Sequence, residues 1–111
     1  MRTFHEKAIS HTAMLIKAVA ICSETTIPET AMVIGEDKIA RLLHNSPMNQ
    51  LLDFSRVVRE VIHDCDMREY TTNNMAEPDV AYGAYVASIV MARTAKHQEF
   101  ANVLYSLLIG S

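Results

Sequence analysis

The chain has 111 residues, half of them apolar and 21% charged, with a formal net charge of -3 and a mean hydropathy of +0.07. That length makes one domain around one core, here residues 1–111, and the acidic balance gives no general attraction to nucleic acid or anionic membrane. No apolar run approaches the ~18 residues of a membrane span.

Every segment reads as helix or connector, with no β-alternating run, internal repeat or low-complexity tract. The expected class is therefore all-α: a single-domain bundle of four to five helices with a long C-terminal helix. Arg2 and Lys7 ahead of an apolar run imitate a secretion leader, but Glu6, His11 and Lys17 interrupt it. From Thr3 to about Ser23, Phe4, Ala8, Leu15, Val19 and Cys22 recur at helical spacing with Ile9, Ile16 and Ala20 beside them. Glu6, Ser10, Lys17 and Glu24 fall away from that stripe, which predicts an amphipathic helix.

Thr26, Pro28 and Glu29 carry the signature of an N-cap followed by an early proline and an acid. A short helix should then run to Gly35 and resume from Glu36 to His44. Asn45, Ser46 and Pro47 predict the next boundary, with Ser46 as cap and Pro47 opening the following helix. That helix should extend to about Glu69, with Leu51, Phe54, Val58, Val61, Ile62 and Cys65 inward. Residues 70–77 are loop-like, and Asn74 with Glu77 has the spacing of a capping box.

Residues 78–109 contain no proline after Pro78 and one internal glycine, Gly83, which predicts one helix of about 31 residues, ~46 Å long. Residues 80–92 are apolar or small all round and should be buried on every side. Tyr82, Tyr85, Ile89, Phe100, Val103 and Leu107 form an apolar seam along this helix, the expected surface for self-association. Ala81, Ala84, Ser88 and Ala95 make a face of small side chains. Arg93, Lys96 and His97 form a cationic waist suited to an anion or a partner contact.

Three constellations bear on chemistry. Glu60 and His63 have the Glu-x-x-His spacing of carboxylate-bridged di-iron bundles, but no second pair exists and both lie on the polar face. They are weak metal candidates, and no metal or other cofactor is expected. His63 followed by Asp64 resembles the dipeptide of metal-dependent helical phosphohydrolases; His44 lies upstream but next to a predicted helix end, the chain is short for that fold, and no role is carried over. Residues 37–59 have the outline of a helix-turn-helix, yet Gln50 falls where an apolar residue packs and Asp53 sits early in the would-be recognition helix. An early acid facing phosphates opposes DNA binding.

Cys22 and Cys65 are far apart in apolar contexts, which suits two free thiols in a reducing cytoplasm. No glycine-flanked serine and no phosphate-cradling loop is present. The composition, apolar for so small a chain, therefore points to a non-enzymatic helical interaction or regulatory module. It is expected to act as a homo-oligomer, to bind another protein, and to resemble in role an accessory protein of phages or mobile elements. The rival functions are a helix-turn-helix-like regulator, with Arg41, Arg56 and Arg59 on one face, and a ligand-binding or metal-dependent bundle.

Overall fold

The hub of the molecule is its first helix, α1 (Phe4–Cys22), in a computed structural model that describes residues 3–70 and 77–111. Around it stand α2 (Ile27–Ile34), α3 (Glu36–Asn49), α4 (Phe54–Asp64), α5 (Val80–Arg93) and α6 (Phe100–Ile109). The described residues contain these six helices, one 3-10 turn (His97–Glu99) and no strand. The all-α expectation holds, and the helix count exceeds the four to five expected.

Thr3 caps α1, its hydroxyl accepting from the Glu6 N–H at 3.1 Å. Ile9, Ala13, Leu15, Ile16, Val19 and Cys22 are wholly inaccessible, and Ser10, His11 and Thr12 are buried with them. α1 is thus enclosed on almost its whole circumference, because α2, α3, α4 and α5 all pack on it. The expected polar side is missing: Ser10 points inward and Lys17 is half-buried. Small residues make this possible, and the Thr12 hydroxyl meets its own need by donating to the Ala8 carbonyl at 2.8 Å.

His11 is one exception in polar satisfaction, as is the buried Ser23 hydroxyl that follows α1. The histidine is 8% exposed, its Nδ1 has no hydrogen-bond partner, and its ring stands edge-on to Phe54 at 6.2 Å. Burial pushes its pKa below the ordinary histidine value. The folded state therefore holds the ring neutral while the unfolded chain protonates near pH 6.5. Stability is full above that pH and falls as pH drops below it toward the folded value, with a limiting slope of ~1.4 kcal/mol per pH unit. Urea midpoints measured between about pH 7.5 and 5.5 should fall in the native protein and much less in His11→Leu. Equal slopes in the two proteins would contradict this.

Local chemistry sets α2 as expected: Thr26 accepts from the Glu29 N–H at 3.2 Å, Pro28 lies in the first turn, and Gly35 stops the helix at φ +83°. The next boundary does not fall at residues 45–47. α3 continues through Pro47 to Asn49, and Ser46 is buried, accepting a hydrogen bond from Gln50 Nε2 at 3.0 Å. Pro47 sits in the final turn, where only one helical hydrogen bond is forfeited. α4 then starts at Phe54 and ends at Asp64, short of Glu69. Val57, Val58, Val61 and Ile62 are its buried side, while Leu51, expected inward, is 84% exposed in the preceding turn. The Tyr70 N–H donates to the Cys22 carbonyl at 2.8 Å and ties the segment after α4 to the end of α1. Cys22 and Cys65 are both free thiols.

The long C-terminal helix does not form. Thr94 leaves helical geometry at φ -108°, ψ 122°, the chain turns through residues 94–99, and α6 folds back against α2, α3 and α5. Phe100, Leu104 and Leu108 are buried by this return. A continuous rod would hold them in water, whereas burying each contributes ~1.5–3 kcal/mol. The polar stretch expected as a cationic waist is the corner, and its residues 95, 96, 98 and 99 are exposed. The radius of gyration, 12.8 Å, is accordingly that of a compact domain, near ~13 Å for this length.

Candidate interaction surface

α5 begins where Asp79 caps it. The Asp79 carboxylate accepts from the Tyr82 N–H at 3.0 Å and from the Lys17 ammonium of α1, which also lies 4.9 Å from the centre of the Tyr82 ring. The Lys17 hydrogen bond, then the Tyr82 N–H, holds the Asp79 carboxyl below its usual range. Burial, and secondarily the Asp79 charge, pushes the Tyr82 phenol up. Helix start and helix docking are thus one arrangement. Pro78 lies ahead of the cap instead of in the first turn, and Asn74, the other expected cap, is outside the described residues.

Gly83, Val86, Ala87 and Val90 form the inner side of α5. The outer side is Val80, Ala81, Tyr85, Ser88 and Ala92, all exposed, with Ala84 and Ile89 half-buried at its margins. Burial on every side, as composition suggested, is therefore not observed. No charged residue stands between Asp79 and Arg93. An exposed helix face is ordinarily charged or polar, whereas this one carries an aromatic ring, 64% exposed at Tyr85, among alanines. The Ser88 hydroxyl is turned back onto the Tyr85 carbonyl at 2.8 Å, which leaves the face less polar still.

The six residues of the expected seam are dispersed. Tyr82 is half-buried beside Lys17, Tyr85 and Ile89 border the outer face, and Phe100 is in the core with its ring 5.1 Å from that of His5. Val103 and Leu107 are half-buried on α6. Arg93 closes α5, Lys96 is exposed on the connector, and His97 lies in the 3-10 turn. Within the molecule, the close approach of α5 to α1 is made at Gly83, on the side of α5 opposite Ala81 and Ser88.

Glu60 is engaged by Arg56 at 3.2 Å, and His63 is exposed beside it. Among the described residues no three His, Cys, Asp or Glu side chains gather as metal ligands would. For the DNA-binding outline, the turn falls at residues 50–53 and the basic side chains are partly neutralised. Arg56 pairs with Glu60, and Arg59 Nε lies 3.4 Å from Glu69 Oε1, an ion pair without hydrogen-bond alignment. Arg41 stands apart from both, on the wall of a cleft between α3 and α4. No described helix is long and apolar enough to cross a membrane. No family model matches the sequence, and neither a curated protein nor a solved structure is significantly similar to it.

Proposed function

We propose that the chain is a non-enzymatic interaction module that pairs with a second copy of itself through the outer face of α5. The supporting observation is the uncharged run from Asp79 to Arg93 on a helix that turns Tyr85 and its small neighbours to solvent. A face without charge gives a charged partner nothing to match, but it is complementary to itself. Under a two-fold axis the Tyr85 ring of one copy enters the space over Ala81, Ala84 and Ser88 of the other, and the reverse contact follows by symmetry. The alanines admit the ring without a loss of rotamer freedom.

The face is ~20 Å long and ~10 Å wide, about 200 Å² in projection. A standard interface covers ~800 Å² per partner, so pairing is weak and concentration-dependent. Sedimentation equilibrium from about 10 μM to 1 mM should show the mass rising toward two subunits. Tyr85→Glu, which places a charge on an exposed position, should hold it at one. A single-subunit mass across that range, or pairing unaffected by Tyr85→Glu, overturns the reading.

A further inference from the structure

α3 and α4 each pack on α1, and between them lies an open cleft of about 240 Å³. Its floor is apolar, from Ile34, Leu42 and Val61. One wall carries Lys38, Arg41 and Asn45, which fall on one side of α3 at spacings of three and four. The other carries Asp64 and Cys65 at the end of α4. Lys38 is already committed: its Nζ donates to the Asp64 carbonyl at 3.4 Å and lies 3.9 Å from Cys65 Sγ, a cation at a helix C-terminus.

Arg41 and Asp64 are not committed. Among the described residues the Arg41 guanidinium and the Asp64 carboxylate have no hydrogen-bond or ion-pair partner, and they do not pair with each other although both line the same cleft. A cation and an anion that do not pair, on either side of an apolar floor, describe the complement of a small zwitterion. We infer that the cleft binds a free α-amino acid with an aliphatic side chain. The ligand carboxylate meets Arg41, its ammonium meets Asp64, and its side chain lies on Ile34, Leu42 and Val61. The volume agrees: about 240 Å³ falls below the ~300–1,000 Å³ of pockets that take drug-sized ligands, as suits a ligand as small as an amino acid.

Cys65 supplies a reporter, because its half-buried thiol lines the cleft while Cys22 is wholly inaccessible. Alkylation of the folded protein by iodoacetamide, followed by mass spectrometry, therefore reads Cys65. Saturating leucine should slow it about fivefold or more, because an occupied cleft covers the half-buried thiol. Leucinamide lacks the carboxylate and N-acetyl-leucine lacks the ammonium. Each should bind about tenfold more weakly, the usual loss when one charge-assisted contact is removed. Arg41→Gln and Asp64→Asn alter exposed side chains, keep the helical circular dichroism, and should abolish protection by leucine. Backbone amide shifts of Arg41, Leu42 and Asn45 should saturate at the same leucine concentration. Absence of both protection and amide shifts with leucine overturns the inference. Binding of either blocked analogue as tight as that of leucine, or protection that survives both substitutions, overturns the zwitterion assignment.

Discussion

Leu104→Ala should cost ~3 kcal/mol of unfolding free energy, while Leu107→Ala, one turn further along the same helix, should cost ~1 kcal/mol. Leu104 is wholly inaccessible and Leu107 is half-buried, so the two truncations remove the same atoms from different environments. The difference tests how α6 is seated. Phe100, Leu104 and Leu108 follow one another at intervals of four and make the buried line, with Asn102 outside it donating to Glu36 of α3 at 3.1 Å. A helix continuing from α5 through residues 94–96 would expose both leucines alike, and their truncations would cost alike. Urea denaturation of the two variants separates these outcomes. A loss at Leu107 equal to or greater than that at Leu104 would mean that α6 is not docked on this line.

The corner that docks α6 leaves little trace in the sequence. Thr94 is a tolerable helix residue, and here its hydroxyl bonds back to the Val90 carbonyl at 2.6 Å, which stays within the range of local patterns. What ends α5 is the gain from burying Phe100, Leu104 and Leu108 against helices that come earlier in the chain, a long-range term to which periodicity is blind. Where the deciding chemistry is local, the sequence is legible: the Thr26 cap, Pro28 and the Gly35 stop all follow from side-chain to backbone contacts within four residues. Ser46 and Pro47 show the limit of that logic. The pair has the chemistry of a helix start, yet Ser46 is drawn into the interior and the helix carries Pro47 in its last turn.

The same division applies to the surfaces. Tyr85 and Ile89 could be placed on an apolar side of one helix, but which side meets water depends on where α1 lies. The periodicity of α1 understates its burial, because Ser10, His11 and Thr12 read as polar and are packed inside. The hub is thus hidden by its small polar residues, while the apolar residues of 80–92 point to an all-round burial that α5 does not have. The α3–α4 cleft draws on residues from Ile34 to Cys65 and exists only once α1 has set both helices in place.

Gly83→Ala should destabilise by ~2 kcal/mol although alanine is the best helix former, and Gly83→Leu should prevent stable folding. A Cβ at position 83 would lie 2.6 Å from Ser10 Oγ, 2.8 Å from Met14 Cγ and 2.8 Å from the Ser10 carbonyl oxygen. The Ser10 hydroxyl and Met14 chain can rotate away, but the carbonyl belongs to the backbone of α1 and is fixed by the helix. Relief therefore requires α5 to move off α1, loosening Val86, Ala87 and Val90, which are all buried on that side. Against this stands ~1 kcal/mol of helix propensity returned by replacing glycine with alanine. The clash wins because interiors at crystal-like density have no slack to share a displacement of several tenths of an ångström. Ser10→Gly combined with Gly83→Ala should recover only part of the loss, since the carbonyl contact remains. If Gly83→Ala instead raises the urea midpoint by what propensity alone provides, α1 and α5 are further apart than described here, and the placement of the Tyr85 face loses its support.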